Sequence, residues 1–521
     1  AKSWTNTVHQ ISLKVHQLNR TGSGTHFQEA KGRARFVAFK PKQDKTMNRL
    51  SALFIVLLVS MSTALAQQAH TLTGTWLGKM KVKPDLQLTV AFEVKPDGSA
   101  LMHSVDQQVY DIKVDALEFQ DGQVQMRINT INGTYKGQLV NPDSISGGIN
   151  QGGGKAMWAL ALAKVDRLPN GKPKRPQEPV GELPYKAEDV TYRNEAAGVT
   201  LAGTLTIPNT PGPHPTLLLI PGSGPSDRDQ TIFGHKVFLV WADQFTRAGY
   251  AVLRADDRGV GGSTGKYEET TVQDFASDAA AAVRYLKTRR EVDTQNIGLI
   301  GHSYGVDIAP LAAAQSTGIA FVVLMSGAAE PNTTGLIPST EAVYRQAGAS
   351  EEAIALNSEI LKAAFRILRT EPDVEDAKQK LEKQLQRFNP QLARLSKEDL
   401  KKVELASPIN PKAFYKFLTP GGRSELLNDP TEGFRQLKCP VLAVNGTKDV
   451  QVLPYHLPLV EKAIRKGGNK NVTVKMFEDK NHLFQTAKTG SIPEYAEIEE
   501  TIAPDVVEYV VNWMNSQRVG K

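Results

Sequence analysis

The chain has 521 residues, 40% of them hydrophobic and 22% charged, which is too long for one ordinary domain and enough for two folded units. Its formal charge of +7 would suggest a polyanion partner, but the nine Lys/Arg of residues 1–46, against Glu29 and Asp44 alone, account for all of it. From Gln67 onward 52 basic residues face 53 acidic ones, a balance that gives no reason to expect nucleic acid. One cysteine, Cys439, excludes an internal disulfide and a cysteine-based metal cluster.

Residues 1–46 are polar, lack periodicity and do not begin with Met, so they are read as upstream or appended sequence. "MNRLSALFIVLLVSMSTALAQQ" follows, with Arg49 as a short positive region, an apolar run and the small-x-small site Ala64-Leu65-Ala66. That is the anatomy of a secretory signal peptide spanning Met47 to Ala66. A membrane anchor is the alternative, but Ser60, Ser62 and Thr63 interrupt the run. The expectation is a secreted or periplasmic product beginning near Gln67, with no stable membrane anchor once the signal is removed.

From 67 to 166 short alternating runs such as "LQLTVAFEV", "YDIKVDALEF" and "VQMRINTI" are separated by turns such as "KPDGS" and "QDGQ". Period-two alternation predicts antiparallel strands with one buried face, hence a small all-β barrel or sandwich. The proline-rich stretch 167–187 reads as a stiff linker. From 188 to 521 an opening hairpin gives way to wholly apolar strands alternating with helical segments. This predicts an α/β fold with a mainly parallel, doubly wound sheet. The repeat breaks over about 331–436, a charged helical stretch placed where a lid over an active site would sit.

The chemistry centres on "NIGLIGHSYG". An apolar strand runs into Ser303 and a helix follows, the strand-turn-helix setting in which Gly-x-Ser-x-Gly presents a nucleophile. Gly301 and Gly305 leave room for the turn, and the Tyr304 N–H at the helix start can meet an oxyanion. Five histidines lie in this region, His214, His235, His302, His456 and His482. His482 follows the last strand, where a base belongs; His302 reads as structural, and His456, near the acid loop, is the one rival, with a surface residue as its plainer reading. Asp449 ends the preceding strand in "VLAVNGTKDV" and is preferred to Asp479 as the acid. The order Ser303, Asp449, His482 is that of an α/β-hydrolase. The loop "LLIPGSGPSDRD" supplies a second oxyanion donor, the N–H of Ser223, with Asp227, Arg228 and Asp229 bracing it through ion pairs. Asp257 and Arg258 brace the neighbouring loop.

"PGSGPSDRD", "DDRGVGGSTG", "GHSYG", "NGTKDVQV" and "NHLFQTAKTG", in that order, resemble the α/β-hydrolases of the serine aminopeptidase/esterase type. The likeness extends over about 175–521, particularly to a secreted bacterial group with an N-terminal β-domain. The resemblance implies a serine carboxylesterase acting on short acyl esters, with a small-molecule ester as partner and no metal or cofactor. A peptidase or amidase acting on short peptides is the alternative, and a non-catalytic ligand-binding protein the alternative of another class. Relatives commonly read Gly-His-Ser-Glu-Gly-Gly; here Tyr304 and Val306 replace the glutamate and second glycine, which removes one anchor for a substrate ammonium. The β-domain's role, glycan-binding or structural, and the oligomeric state have no sequence signal.

Overall fold

The computed structural model describes residues 72–83, 86–107, 109–151, 157–168 and 174–518. The segment 1–46 and the signal peptide expected over 47–66 lie outside the described residues. The chain divides near residue 172 into two compact units.

The first unit is a ten-stranded sheet whose pairings are all antiparallel. Alternate residues of its strands bury one face, with Trp76, Phe92, Met126 and Tyr135 at the centre of the core. The Trp76 indole donates to the Leu72 carbonyl at 2.7 Å, and the Tyr135 hydroxyl to the Leu160 carbonyl at 3.3 Å, so neither large ring buries an unpaired polar atom.

In the second unit an eight-stranded sheet is made of β1 (Tyr185–Asn194), β2 (Val199–Pro208), β3 (His214–Ile220), β4 (Ala251–Ala255), β5 (Val292–His302), β6 (Ile319–Met325), β7 (Val441–Gly446) and β8 (Val472–Phe477). Its order is β1-β2-β4-β3-β5-β6-β7-β8. The hairpin β1–β2 and the β2–β4 pair are antiparallel, and every pairing from β4 to β8 is parallel.

The strands are apolar at successive positions because both faces are covered. Leu218 and Ile220 of β3 pack with α2 (Val272–Leu286), α3 (Gly305–Ala314) and α11 (His456–Lys466). Leu217 and Leu219 point the other way, toward α1 (Val237–Arg247) and α13 (Pro504–Ser516). Thr271 starts α2 with a reciprocal capping box to Asp274, which fixes where the chain enters the helix after the "RGVGGSTG" loop.

Between β6 and β7 the chain makes a helical insertion with its own core around Ile360, Leu381 and Leu426. Its helices are α4 (Asn332–Gln346), α5 (Glu351–Thr370), α6 (Val374–Leu385), α7 (Asn389–Leu392), α8 (Lys397–Lys402), α9 (Pro420–Leu427) and α10 (Pro430–Gln436).

The described part of the proline-rich stretch is fastened down within this second unit. The Arg175 guanidinium donates to the carbonyls of Ala496 (2.7 Å), Ile498 (3.0 Å) and Gly234 (3.0 Å). Gln177 accepts from the N–H groups of Thr501 and Ile502 and donates to the Ile502 carbonyl. Residues 175–177 therefore hold the far end, 496–502, of the segment that follows His482.

Candidate active site

Ser303 sits between β5 and α3 with φ +53°, a left-handed backbone that costs a residue with a side chain about 1–2 kcal/mol. The turn is held by its neighbours: Ser303 N–H donates to the Met325 carbonyl at 2.9 Å, and Val306 N–H to the Ser303 carbonyl at 2.9 Å. The flanking glycines are there for space. A Cβ on Gly301 would stand 2.2 Å from the Gly305 carbonyl oxygen, and one on Gly305 would stand 2.2 Å from that of Ile220. Only a hydrogen at both positions lets β5, the serine turn and the end of β3 approach this closely.

The main-chain N–H of Tyr304 and that of Ser223 donate to no acceptor among the described residues. Tyr304 is the residue at the start of α3. The Gly222–Ser223 strand of chain passes against the nucleophile turn, since a Cβ on Gly222 would lie 3.2 Å from the Ser303 Cβ. Two main-chain donors without an acceptor among the described residues therefore lie close to Ser303.

Asp449 and His482 come together from the ends of β7 and β8. His482 Nδ1 lies 2.9 Å from Asp449 Oδ2, and the other oxygen, Oδ1, accepts the N–H groups of Gln451 (2.9 Å) and Val452 (2.8 Å). Both side chains are buried. A carboxylate fixed by two amides and facing Nδ1 makes that nitrogen the protonated one, which leaves Nε2 as the basic atom. Asp479 is exposed and paired with Lys448 at 2.8 Å, away from the imidazole.

The remaining histidines do structural work. His456 is buried, contrary to a surface reading, because α11 starts beneath the insertion; its Nδ1 accepts the Ala329 N–H at 3.2 Å. His214 is buried as well. His302 is buried with its ring 5.0 Å from that of His482. His235 is bonded to Thr501, Gln485 and the Tyr495 carbonyl.

The bracing loops are ion-paired at their arginines, but not at Asp227, which among the described residues accepts the N–H groups of Asp229 and Thr231 at 3.0 Å instead, holding the turn through its main chain. Arg228 reaches Asp256 at 2.8 Å, Arg254 pairs with Asp229, and Arg258 meets Asp278 at 2.6 Å. Asp257 accepts the Ser226 N–H at 2.9 Å, and burial pushes its carboxyl well above the usual carboxylate range. It lines a cavity of about 50 Å³ together with Gly222, Tyr267, Phe275 and Tyr304.

Two residues near the site had no signal in the sequence. Gln230, in the loop after β3, touches the serine turn through its amide. Glu425 lies on α9, which packs closely on the chain beside Tyr267: a Cβ on Gly421 would stand 2.7 Å from the Thr270 carbonyl oxygen and 2.9 Å from that of Glu268. No ion pair with Glu425 occurs among the described residues, and burial raises its carboxyl.

Burial also lowers His302 to about 3 and His235 to about 4. Both stay neutral in the fold, while in the unfolded chain each takes a proton below its ordinary value of about 6.5. The stability they allow is complete above that value and is lost as the pH falls toward their folded values. At pH 5 each removes about 2 kcal/mol relative to pH 8. Thermal melts should show Tm dropping steeply between pH 7.5 and 5, with His235→Gln flattening the drop. An unchanged slope in that variant would remove His235 from the account.

The family description X-Pro dipeptidyl-peptidase (S15 family) matches residues 197–475. Among curated proteins the chain is similar to esterase EstD of Thermotoga maritima, 26% identical over 334 residues that cover 64% of this chain and 70% of that one. Among solved structures it is similar to the Pyrococcus furiosus esterase Pf2001, with 18% identity, coverage of 65% of this chain and 96% of the other, and a TM-score of 0.39. Acetyl xylan esterase 1 from a Thermoanaerobacterium species is similar at 15% identity over 66% of this chain and 87% of that one, with a TM-score of 0.36.

Proposed function

The chain belongs to the X-Pro dipeptidyl-peptidase (S15) family, and from that premise we propose that it is a serine carboxylesterase cleaving short-chain esters through an acyl-enzyme. A bacterial-type α/β-hydrolase with an esterase relative is the level on which the motif resemblance and the matches agree. Export through the segment 47–66 is part of the same proposal.

The observation that carries it is Ser303 in a left-handed strand-to-helix turn beside unpaired N–H groups, with an Asp449-held His482 brought from beyond the end of β8 to the His302 that precedes the serine. Ser303 Oγ attacks the ester carbonyl carbon while His482 Nε2 takes the hydroxyl proton. The N–H groups of Ser223 and Tyr304 receive the oxyanion. Collapse of the tetrahedral intermediate expels the alcohol, which leaves with the proton from Nε2. Water then attacks the acyl-enzyme by the same steps reversed, freeing the acid. The Asp449 carboxylate stabilises the imidazolium each time it forms. A cavity of about 50 Å³ lies beside Tyr304 and Gly222.

Glu425 favours a second reading. The exchange of a glutamate for Tyr304 in the serine motif was expected to leave a substrate ammonium without an anchor. A carboxyl group on α9, Glu425, is the candidate to take that place, and the family's name is that of a peptidase. One preparation assayed on p-nitrophenyl acetate, butyrate and octanoate and on amino-acyl and X-Pro p-nitroanilides separates the two. The ester reading expects butyrate turnover well above octanoate and at least about 100-fold above any anilide. Anilide turnover that exceeds ester turnover and is lost in Glu425→Gln would establish the peptidase instead.

A further inference from the structure

His302, immediately before the nucleophile, is used by none of the steps above, yet it is bonded on both ring nitrogens. Its Nε2 lies 2.9 Å from the main-chain oxygen of His482, and its Nδ1 lies 2.9 Å from Gln230 Nε2. A carbonyl oxygen can only accept, so the His302 proton is on Nε2 and Nδ1 carries a lone pair. Gln230 must then present its amide N–H to Nδ1. The opposite placement of that amide would set oxygen against a lone pair. The direction of the chain is thus determined: Gln230 N–H to His302 Nδ1, and His302 Nε2–H to the His482 carbonyl.

From this geometry we infer that His302 is a positioning residue that sets the distance between nucleophile and base, with Gln230 selecting the tautomer that can do so. The inference depends on the proposed roles of Ser303 and His482. The physical reason is that His482 has two handles. Asp449 holds its ring, and His302 holds its backbone; without the second, the ring would still be paired with Asp449, but the His482 carbonyl beside it would lose its shortest bond. That loop makes a tight local turn of its own, with Asn481 Oδ1 accepting the N–H groups of Leu483 and Gln485 and with Phe484 at φ +63°.

His302 ends β5 and is one peptide from Ser303, so it transmits the position of the serine turn directly. Gln230 belongs to the loop that offers the Ser223 N–H; its amide nitrogen would lie 3.4 Å from a Cβ on Gly222. One chain of hydrogen bonds therefore ties the oxyanion loop, the nucleophile turn and the base loop. Ser326 Oγ also approaches the His482 carbonyl, at 3.3 Å, but its single proton is shared with Asn445 Oδ1 at 3.2 Å. It cannot replace His302. Burial keeps the His302 imidazole neutral, so the donor on Nε2 and the acceptor on Nδ1 persist throughout the working pH range.

The test uses the full chain with His302→Leu, His302→Gln and Gln230→Leu, assayed on p-nitrophenyl butyrate. Rates are normalised to active sites titrated with a fluorophosphonate. Misplacing a reacting group by about 1 Å is worth roughly 100-fold. His302→Leu should lose about 10- to 100-fold in kcat per titrated site with KM within about twofold, and fluorophosphonate labelling should slow in proportion. His302→Gln, whose amide can place an N–H where Nε2 was, should recover most of that loss. Gln230→Leu, which leaves the ring but frees its tautomer, should lose about 3- to 10-fold.

A merely structural role would lower the number of titratable sites and leave kcat per site unchanged, which would overturn the inference. So would a glutamine variant no better than leucine. If His302→Leu does not fold, the Gln230→Leu and His302→Gln values decide by the same criteria. A wild-type protein that the fluorophosphonate does not label would refute the function proposed for Ser303, a failure distinct from either of these.

Discussion

Ser303→Ala should lower kcat on p-nitrophenyl butyrate by about 10⁴- to 10⁶-fold and abolish fluorophosphonate labelling, with Tm changed by no more than a few degrees. The activity loss follows from removing the only atom to which the acyl group could be attached. A hydrolysis that remained would be water attacking an ester held by the Ser223 and Tyr304 N–H groups, a residual of the kind expected when a member of such a triad is deleted. The stability should hold because the strain of φ +53° is a property of the backbone and of having a Cβ, which alanine keeps. The bonds that hold the turn, Ser303 N–H to Met325 and Val306 N–H to the Ser303 carbonyl, are main-chain bonds that the substitution does not touch. A variant keeping more than about a tenth of the wild-type rate would place the chemistry elsewhere.

What was legible in the sequence, and what was not, divides along a physical line. Asp449 and His482 could be paired in advance because each follows an apolar run that can only be a buried strand, and parallel strands deliver their carboxyl ends to one edge of the sheet. The strands Gly74–Lys83, Ala100–Ser104 and Ser144–Asn150 in the first unit are different. Two of them carry paired or repeated glycines, "GTWLGKMKVK" and "SISGGIN", and glycine weakens the alternation signal. Their extended form comes from the ladders on both sides.

Gln230, His302 and the His482 carbonyl meet only because the β3–β5 register and the loop after β8 bring three distant segments together. No local pattern encodes such a meeting. Glu425 was illegible for a related reason: a helical insertion can be recognised from its composition, but which of its residues lie toward the rest of the fold depends on how its helices pack. The same holds for Arg175 and Gln177. In a proline-rich stretch they read as spacer residues, and only the finished fold shows them gripping main-chain groups of residues 496–502.

Asp449→Asn should cost about 10³- to 10⁴-fold in kcat with little change in KM or Tm, an effect out of proportion to the exchange of one oxygen for nitrogen. The surroundings of Asp449 dictate how the amide must lie. The Oδ1 position accepts two N–H groups, those of Gln451 and Val452, so it has to be filled by the amide oxygen. The NH₂ then faces His482 Nδ1, across the 2.9 Å now spanned to Oδ2. Facing a donor, Nδ1 becomes an acceptor, and the neutral imidazole must carry its proton on Nε2. That is the atom required to take the Ser303 proton. The fold keeps its turn and its packing, and the base is simply in the wrong tautomer. Asp449→Ala should behave differently, losing stability as well because the Gln451 and Val452 amides lose their acceptor. Measuring kcat and Tm for both variants separates the roles. An asparagine variant within about tenfold of wild type would mean that the carboxylate serves the turn at Gln451 and Val452 and not the imidazole.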